Sequence, residues 1–196
     1  EKLLFATNNT HKLAEVRQIL QERCALISLA EAGVQSNPVA DAPTLEGNAL
    51  IKVRDAHRLS QLPTIADDTG LEVEALDGAP GVYSARFAGE HATFEENVAL
   101  LLERLQGVPA PRRACFRTVI ALIDEYGTHF FEGAVNGEIT LERSGDHGFG
   151  YDPVFRPEGC QQTFAELSSE EKNAMSHRGR AVQRLARYLH ALPLDE

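Results

Sequence analysis

The order in which hydrophobic patterns follow one another constrains this chain more than any single residue does. In the first half, apolar runs alternate with helical periodicities. Lys2 to Thr7 is a short apolar run ending in the polar Asn8-Asn9-Thr10, after which Leu13, Val16, Ile19 and Leu20 recur at helical spacing through Arg23. Cys24 to Leu29 suits a second strand. From Thr44, the residues Leu45, Ala49, Val53, Ala56 and Leu59 line one helical face that closes before Pro63. Later the pattern changes to consecutive strands: Phe116 to Ile123, Phe130 to Val135 and Glu138 to Leu141. They are joined by Gly127 and by Asn136-Gly137, a dipeptide that favours hairpin turns. An alternation that turns into a meander predicts an α/β (mixed α+β) domain with a partly antiparallel sheet.

Between these halves, Thr64 to Asp67 and Leu71 to Ala75 read as strands around a turn at Asp68-Thr69-Gly70, followed by the loop Asp77-Gly78-Ala79-Pro80-Gly81. Thr93 to Gln106 is the clearest helix, with Thr93 and Glu96 at capping-box spacing and Leu100, Leu101 and Leu105 on one face. A glycine-rich loop around Gly145, Gly148 and Gly150 leads to a last helix carrying Val182, Leu185, Leu189 and Leu192 before Pro193. With 196 residues and neither an internal repeat nor a hydrophilic linker, one domain over residues 1–196 is expected.

Charge narrows the partners. Nineteen Lys and Arg against 29 Asp and Glu leave a formal charge of −10, the wrong sign for a general grip on nucleic acid. A small anionic ligand is compatible, provided that local Lys and Arg or a divalent metal offset the surrounding field. Apolar runs such as Val98 to Leu102 fall far short of the roughly 20 residues of a membrane helix. No membrane partner is expected, and Glu1-Lys2-Leu3-Leu4-Phe5-Ala6-Thr7 lacks the long apolar core of a signal peptide. Cys24, Cys115 and Cys160 have no ligand-pair spacing, so reduced thiols in a cytoplasm are the simple expectation.

Four segments have the composition of a site. Thr7-Asn8-Asn9-Thr10-His11-Lys12 lies where a strand hands over to a helix, a place whose open N–H groups suit phosphate, although no Walker loop occurs. Asp67-Asp68 ends an apolar strand and has the carboxylates to hold a cation or position a water; alternation would aim them to opposite faces. Gly145-Asp146-His147-Gly148-Phe149-Gly150-Tyr151-Asp152-Pro153 interleaves glycine with aromatics, so that Phe149 could stack on a planar base or enter the core with Tyr151. Lys172, Ser176, His177 and Arg178 offer donors and almost no acceptors, suiting a 6-oxo purine edge; taken singly, a solvated basic helix start is the commoner case.

Together these segments resemble a known family. Ala6-Thr7-Asn8-Asn9 to Lys12, Glu46-Gly47-Asn48-Ala49 to Lys52, Ala66-Asp67-Asp68-Thr69-Gly70-Leu71, Ala79-Pro80-Gly81-Val82-Tyr83-Ser84-Ala85-Arg86, Gly148-Phe149-Gly150-Tyr151-Asp152-Pro153 and Ser176-His177-Arg178 stand in the order seen in the inosine triphosphate pyrophosphatase (dITP/XTP pyrophosphatase) family. The resemblance implies a long curved mixed β-sheet flanked by helices, with two lobes around a substrate cleft, and a homodimer. It also implies magnesium-dependent hydrolysis of ITP, dITP and XTP to the monophosphate and pyrophosphate, which cleanses the nucleotide pool. Asp68 matches the general base near the metal, and Lys12 and Lys52 match the phosphate-binding lysines. Thr7, Asn8 and Asn9 match the phosphate loop, which Thr10 and His11 continue.

On the base side, Phe149 matches the stacking aromatic, with Thr69, Gly150, Tyr151 and Asp152 around the substrate, and Lys172, Ser176, His177 and Arg178 match the group that reads the base edge. One position departs: many relatives carry a Glu where this chain reads Ala40 in Val39-Ala40-Asp41-Ala42, so Asp41 or Asp67 is expected to complete the metal site with Asp68. Two other readings stand beside the enzyme: a nucleotide-sensing module with reduced turnover, and a pyrophosphatase for another modified nucleotide.

Overall fold

The computed structural model describes residues 2–191, without the side chain of Glu22. Leu192 and Pro193, expected to end the last helix, lie outside the described residues. Among the described residues, seven strands and five α-helices follow in the order β1 (Lys2–Phe5), α1 (Thr10–Leu20), β2 (Ala25–Ser28), α2 (Leu45–Ser60), β3 (Thr64–Val73), β4 (Pro80–Gly81), α3 (Phe94–Arg104), β5 (Arg113–Asp124), β6 (Gly127–Ile139), β7 (Phe155–Pro157), α4 (Ser169–Met175) and α5 (His177–Ala191). The sheet order is β2-β1-β3-β5-β6-β7, with β4 on β3. β1 pairs parallel with both β2 and β3, while β4 on β3 and β7 on β6 are antiparallel, so the fold is mixed α/β with a mixed sheet.

The described chain divides into two compact units. The first takes residues 2–68, 118–133 and 178–191. Its strands are buried on both faces and sort their side chains by simple alternation. Leu3 and Phe5 of β1, Ile65 of β3 and Ile120 and Leu122 of β5 pack with Val16, Ile19 and Leu20 of α1 and with Val182 and Leu185 of α5. Leu4, Ala6, Ala66 and Ala121 point the other way and pack with Ala49, Val53 and Ala56 of α2. Helices therefore flank this part of the sheet on both sides, and a residue's parity on β3 decides which helix it meets.

The second unit takes residues 69–117 and 134–177. Its core joins Leu71 and Val73 of β3, Val98 and Leu101 of α3, Phe116 of β5, and Phe155 and Phe164, with Tyr151 among them. Thr93 caps α3 through a complete capping box with Glu96. Ser168 and Glu171 do the same for α4.

Three expectations are corrected. Asp68-Thr69-Gly70 is no turn but the middle of the continuous β3, because flanking strands supply partners along it and Ser84 Oγ accepts from Leu71 N. Asn136-Gly137 is no hairpin but the end of the single strand β6. Its glycine answers to a close approach: a Cβ on Gly137 would lie 2.4 Å from Arg156 O and 2.7 Å from the Phe155 ring. Ser176-His177-Arg178, whose place in the sequence reads as just before the last helix, instead has His177 and Arg178 inside α5, behind the short helix α4. β7 and the two-residue β4 carried no periodicity long enough to read.

The Gly137 contact yields a direct expectation. Gly137→Ala should destabilise the protein by about 1–3 kcal/mol through overpacking against β7, seen as a lower midpoint in thermal or urea unfolding. An unchanged midpoint would show that β7 is free to shift.

Candidate active site

In the first unit, the turn from β1 into α1 builds its own cap. Thr7 Oγ1 accepts from Asn9 N at 3.1 Å, and Asn9 Oδ1 accepts from the backbone N–H of His11 (3.0 Å) and Lys12 (3.1 Å). No acidic residue stands in the first turn of α1, where the dipole favours an anion, and Thr10 and His11 are exposed there. Asn8 donates from Nδ2 to Ser36 O at 3.1 Å, and Ser36 Oγ donates to Asp55 Oδ2 of α2 at 2.6 Å. The loop is thereby tied toward the helix that carries Lys52.

Strand parity separates the two carboxylates. Asp67 shares the side of Ile65 and meets α1 and α5: Lys12 Nζ lies 3.3 and 3.2 Å from its two oxygens, and Arg178 NH2 lies 3.5 Å from Oδ2. Arg178 also donates to Glu15 Oε2 at 2.7 Å. Asp68 shares the side of Ala66 and meets α2: Lys52 Nζ lies 3.6 Å from Oδ1, and Asn48 supplies a side-chain hydrogen bond. Lys52 also donates to the backbone carbonyl of Asp67. Asn48 further holds the loop before α2, bonding both Ala42 N (2.8 Å) and Ala42 O (3.3 Å).

The two aspartates consequently titrate in opposite directions. Burial would raise Asp67, but Lys12, Arg178 and Lys52 together hold it well below the usual carboxylate range. Burial dominates at Asp68 and raises it despite Lys52 and Lys12. Burial also lowers Lys12, against the pull of Asp67.

Charge and hydrogen bonding both leave room for a cation. Lys12, Lys52 and Arg178 face Glu15, Asp67 and Asp68, a cluster of zero formal charge that by itself does not offset a triphosphate. Asp68 Oδ2 is buried with no hydrogen-bond partner, an arrangement that a hard cation would satisfy. Among the described residues no three His, Cys, Asp or Glu gather as a ligand set, and Asp41 is exposed. A magnesium ion is commonly bound through one or two carboxylates plus substrate phosphates and water, so Asp68 fits such a centre.

The second unit assembles a different group. Phe149 is half-buried, and Lys172 Nζ lies 4.9 Å from its ring centre while donating to Asp152 Oδ2 at 2.6 Å. The same Asp152 oxygen accepts from Phe149 N at 3.0 Å. Gly148, at φ +70°, is required beside it, because a Cβ there would lie 2.2 Å from that oxygen. Tyr151 turns into the core and donates from its hydroxyl to Ser84 O at 2.6 Å; burial raises its pKa. His177 stacks on Phe116 with ring centres 4.5 Å apart. Gly150 takes a left-handed backbone next to Tyr151, and Thr69 is a half-buried residue of β3.

Placement thus divides the expected residues. Lys12, Lys52, Asp67, Asp68 and Arg178 gather in the first unit, and Phe149, Asp152 and Lys172 in the second. Lys172, Ser176, His177 and Arg178 are all buried, against the solvated start expected of each singly. Arg178 engages the carboxylates Glu15 and Asp67 of the first unit. Sequence reasoning missed Glu15 and the pairing role of Asn48. Glu15 could have been found one turn after Lys12 on the same face of α1.

With this geometry in view, comparison with known proteins is decisive about kinship. The chain belongs to the Ham1 family, whose model matches residues 3–188. It is 56% identical over 189 residues to a dITP/XTP pyrophosphatase of Porphyromonas gingivalis, covering 96% of this chain and 97% of the relative. A dITP/XTP pyrophosphatase of Flavobacterium johnsoniae is 45% identical over 97% of this chain and 98% of its own length. Among solved structures, a HAM1 protein from Coxiella burnetii superposes with a TM-score of 0.87 at 39% identity, covering 97% of this chain and 99% of that one.

Opposite titration predicts opposite effects on stability. Asp67 has its folded pKa below its ordinary 3.8, so its ionised form adds stability above that value and loses it as pH falls through the folded pKa. Asp67→Asn should therefore cost about 3–5 kcal/mol at neutral pH, by leaving Lys12 and Arg178 short of a counter-charge. Asp68 has its folded pKa raised, so its ionised form destabilises above that folded value. Asp68→Asn should raise the melting temperature at pH 7. Unfolding of both variants across pH 3 to 8 checks the pair of signs.

Proposed function

We propose that this chain hydrolyses the triphosphates of deaminated purines, ITP, dITP and XTP, to the nucleoside monophosphate and pyrophosphate. Asp68 carries the reading: a half-buried carboxylate beside Lys52 with one buried oxygen lacking a hydrogen-bond partner, in a chain whose relatives bear the name dITP/XTP pyrophosphatase. Its raised pKa brings it nearer to neutrality, which suits a group that takes a proton. In the step we assign to it, Asp68 accepts a proton from a water as that water's oxygen bonds to the α-phosphorus. The bond from this phosphorus to the bridging oxygen then breaks, and pyrophosphate leaves.

Lys12 and Lys52 offset charge on the phosphate oxygens, and Thr7, Asn8, Asn9, Thr10 and His11 present the start of α1 to them. Asp68 and the substrate phosphates would hold magnesium, which when bound supplies positive charge that this neutral cluster lacks. Asp41 is the nearest candidate in sequence for the carboxylate that Ala40 does not provide.

For the base, Phe149 is the stacking surface, shaped by Gly150, Tyr151, Asp152 and Thr69. Lys172, Ser176, His177 and Arg178 supply the donor-rich character that accepts a 6-oxo edge and leaves a 6-amino group without an acceptor. Support for this side is the packing of Lys172 against Phe149. We assign both units to one pyrophosphatase domain. Its homodimeric state and cytoplasmic location rest on the family resemblance and cysteine usage; among the described residues no helix is long and apolar enough to cross a membrane.

The testing experiment is turnover of ITP, dITP, XTP, ATP and GTP with identification of the released phosphorus species. Pyrophosphate from the deaminated substrates, lost with EDTA and restored by magnesium, is expected. Orthophosphate would overturn the reaction, and tight ITP binding without turnover would favour the sensing module. Asp68→Asn should lower kcat by about 10²- to 10⁴-fold with KM changed far less; near-normal turnover would remove Asp68 from the base role.

A further inference from the structure

Phe94 is an aromatic at the first position of α3 and remains 42% exposed. Helix formation does not ask for it, since the first turn favours acidic or small polar residues, and Glu95 and Glu96 follow it there. Its ring instead meets Phe149, with centroids 5.9 Å apart and planes tilted at 49°, within the range where aromatic pairs attract.

The helical turn that carries Phe94 is tied down by hydrogen bonds. The capping box ties Thr93 to Glu96 in both directions, and Asn97 anchors the same turn to the preceding loop, accepting from Ala88 N (2.8 Å) and donating to Ala85 O (3.1 Å). Arg143 NH2 donates to Glu95 O at 3.2 Å. On the other side of the pair, Phe149 has its backbone held by Asp152 and its ring covered by the Lys172 ammonium. Any rotamer freedom that a ring on a glycine-flanked loop keeps must be given up on ligand binding at a cost in affinity, and a second aromatic against the ring lowers that cost.

We propose that Phe94 is a positioning residue for base recognition: it braces the Phe149 ring in the orientation that receives the purine. The inference rests on the reading of Phe149 as the stacking surface. It assigns to Phe94 a role in KM for nucleotides and none in the chemistry of the phosphate chain.

The experiment measures KM and kcat for ITP and XTP, and the inhibition constant of inorganic triphosphate, which has no base, in Phe94→Ala, Phe94→Tyr and Phe149→Ala. Phe94→Ala should raise both nucleotide KM values about five- to tenfold with kcat within about twofold. Inhibition by inorganic triphosphate should be unchanged, and Phe94→Tyr should restore KM. Unchanged KM in Phe94→Ala beside a raised KM in Phe149→Ala would overturn the bracing role alone. Unchanged KM in Phe149→Ala would overturn the stacking reading and the inference with it. A parallel weakening of inorganic triphosphate in Phe94→Ala, or failure of Phe94→Tyr to restore KM, would reduce Phe94 to a structural contact and also overturn it.

Discussion

The alternation of side chains along β3 is the constraint on which the first unit depends. Two adjacent aspartates in an extended strand cannot share a face, so each requires its own counter-charge from a different layer. Lys12 and Arg178, from α1 and α5, neutralise Asp67, and Lys52 from α2 stands at Asp68. The same parity that sends Ile65 into one apolar layer and Ala66 into the other sends the carboxylates after them. Packing and charge are therefore set by one geometric rule.

From this separation the aspartates acquire different chemistry. Asp67 is committed as a permanent anion that organises two cations and, through Arg178, Glu15. Asp68 is half-buried, with desolvation outweighing a weaker partner and one buried oxygen lacking a hydrogen bond, so it is the one whose proton affinity rises. A carboxylate that is costly to ionise in the free protein is suited to take a proton or a cation once a substrate arrives. Charge pairing and raised proton affinity are divided between neighbours in sequence.

The second unit solves a different problem, the fixing of an aromatic surface on a loop. Asp152 accepts from the Phe149 backbone and from Lys172 with one oxygen, and Gly148 leaves the space for that oxygen. Tyr151, two residues on, is drawn inward to Ser84. The Gly-Phe-Gly-Tyr-Asp run thus holds one ring in the core and one at partial exposure, where the sequence alone left both options open for each.

Much was legible before the structure. The β1, α1, β2, α2 and α3 elements follow from period and caps, because their apolar faces are long and local signals agree. The candidate residues Asp68, Lys12, Lys52 and Phe149 stood out as well, since they lie in segments whose chemistry is unusual for a plain core or surface. Asp68-Thr69-Gly70 and Asn136-Gly137 misled, because turn-forming dipeptides state only local preference and neighbouring strands overrode it. What the sequence by itself determined was the class of fold, the family and the inventory of reactive groups. Only the tertiary structure decided that Arg178 would serve Glu15 and Asp67, that Lys172 would lie on Phe149, and that Asp68 would be the aspartate with the raised pKa. Those outcomes depend on contacts between segments far apart in the chain, and on burial, neither of which is encoded in the spacing of residues along it.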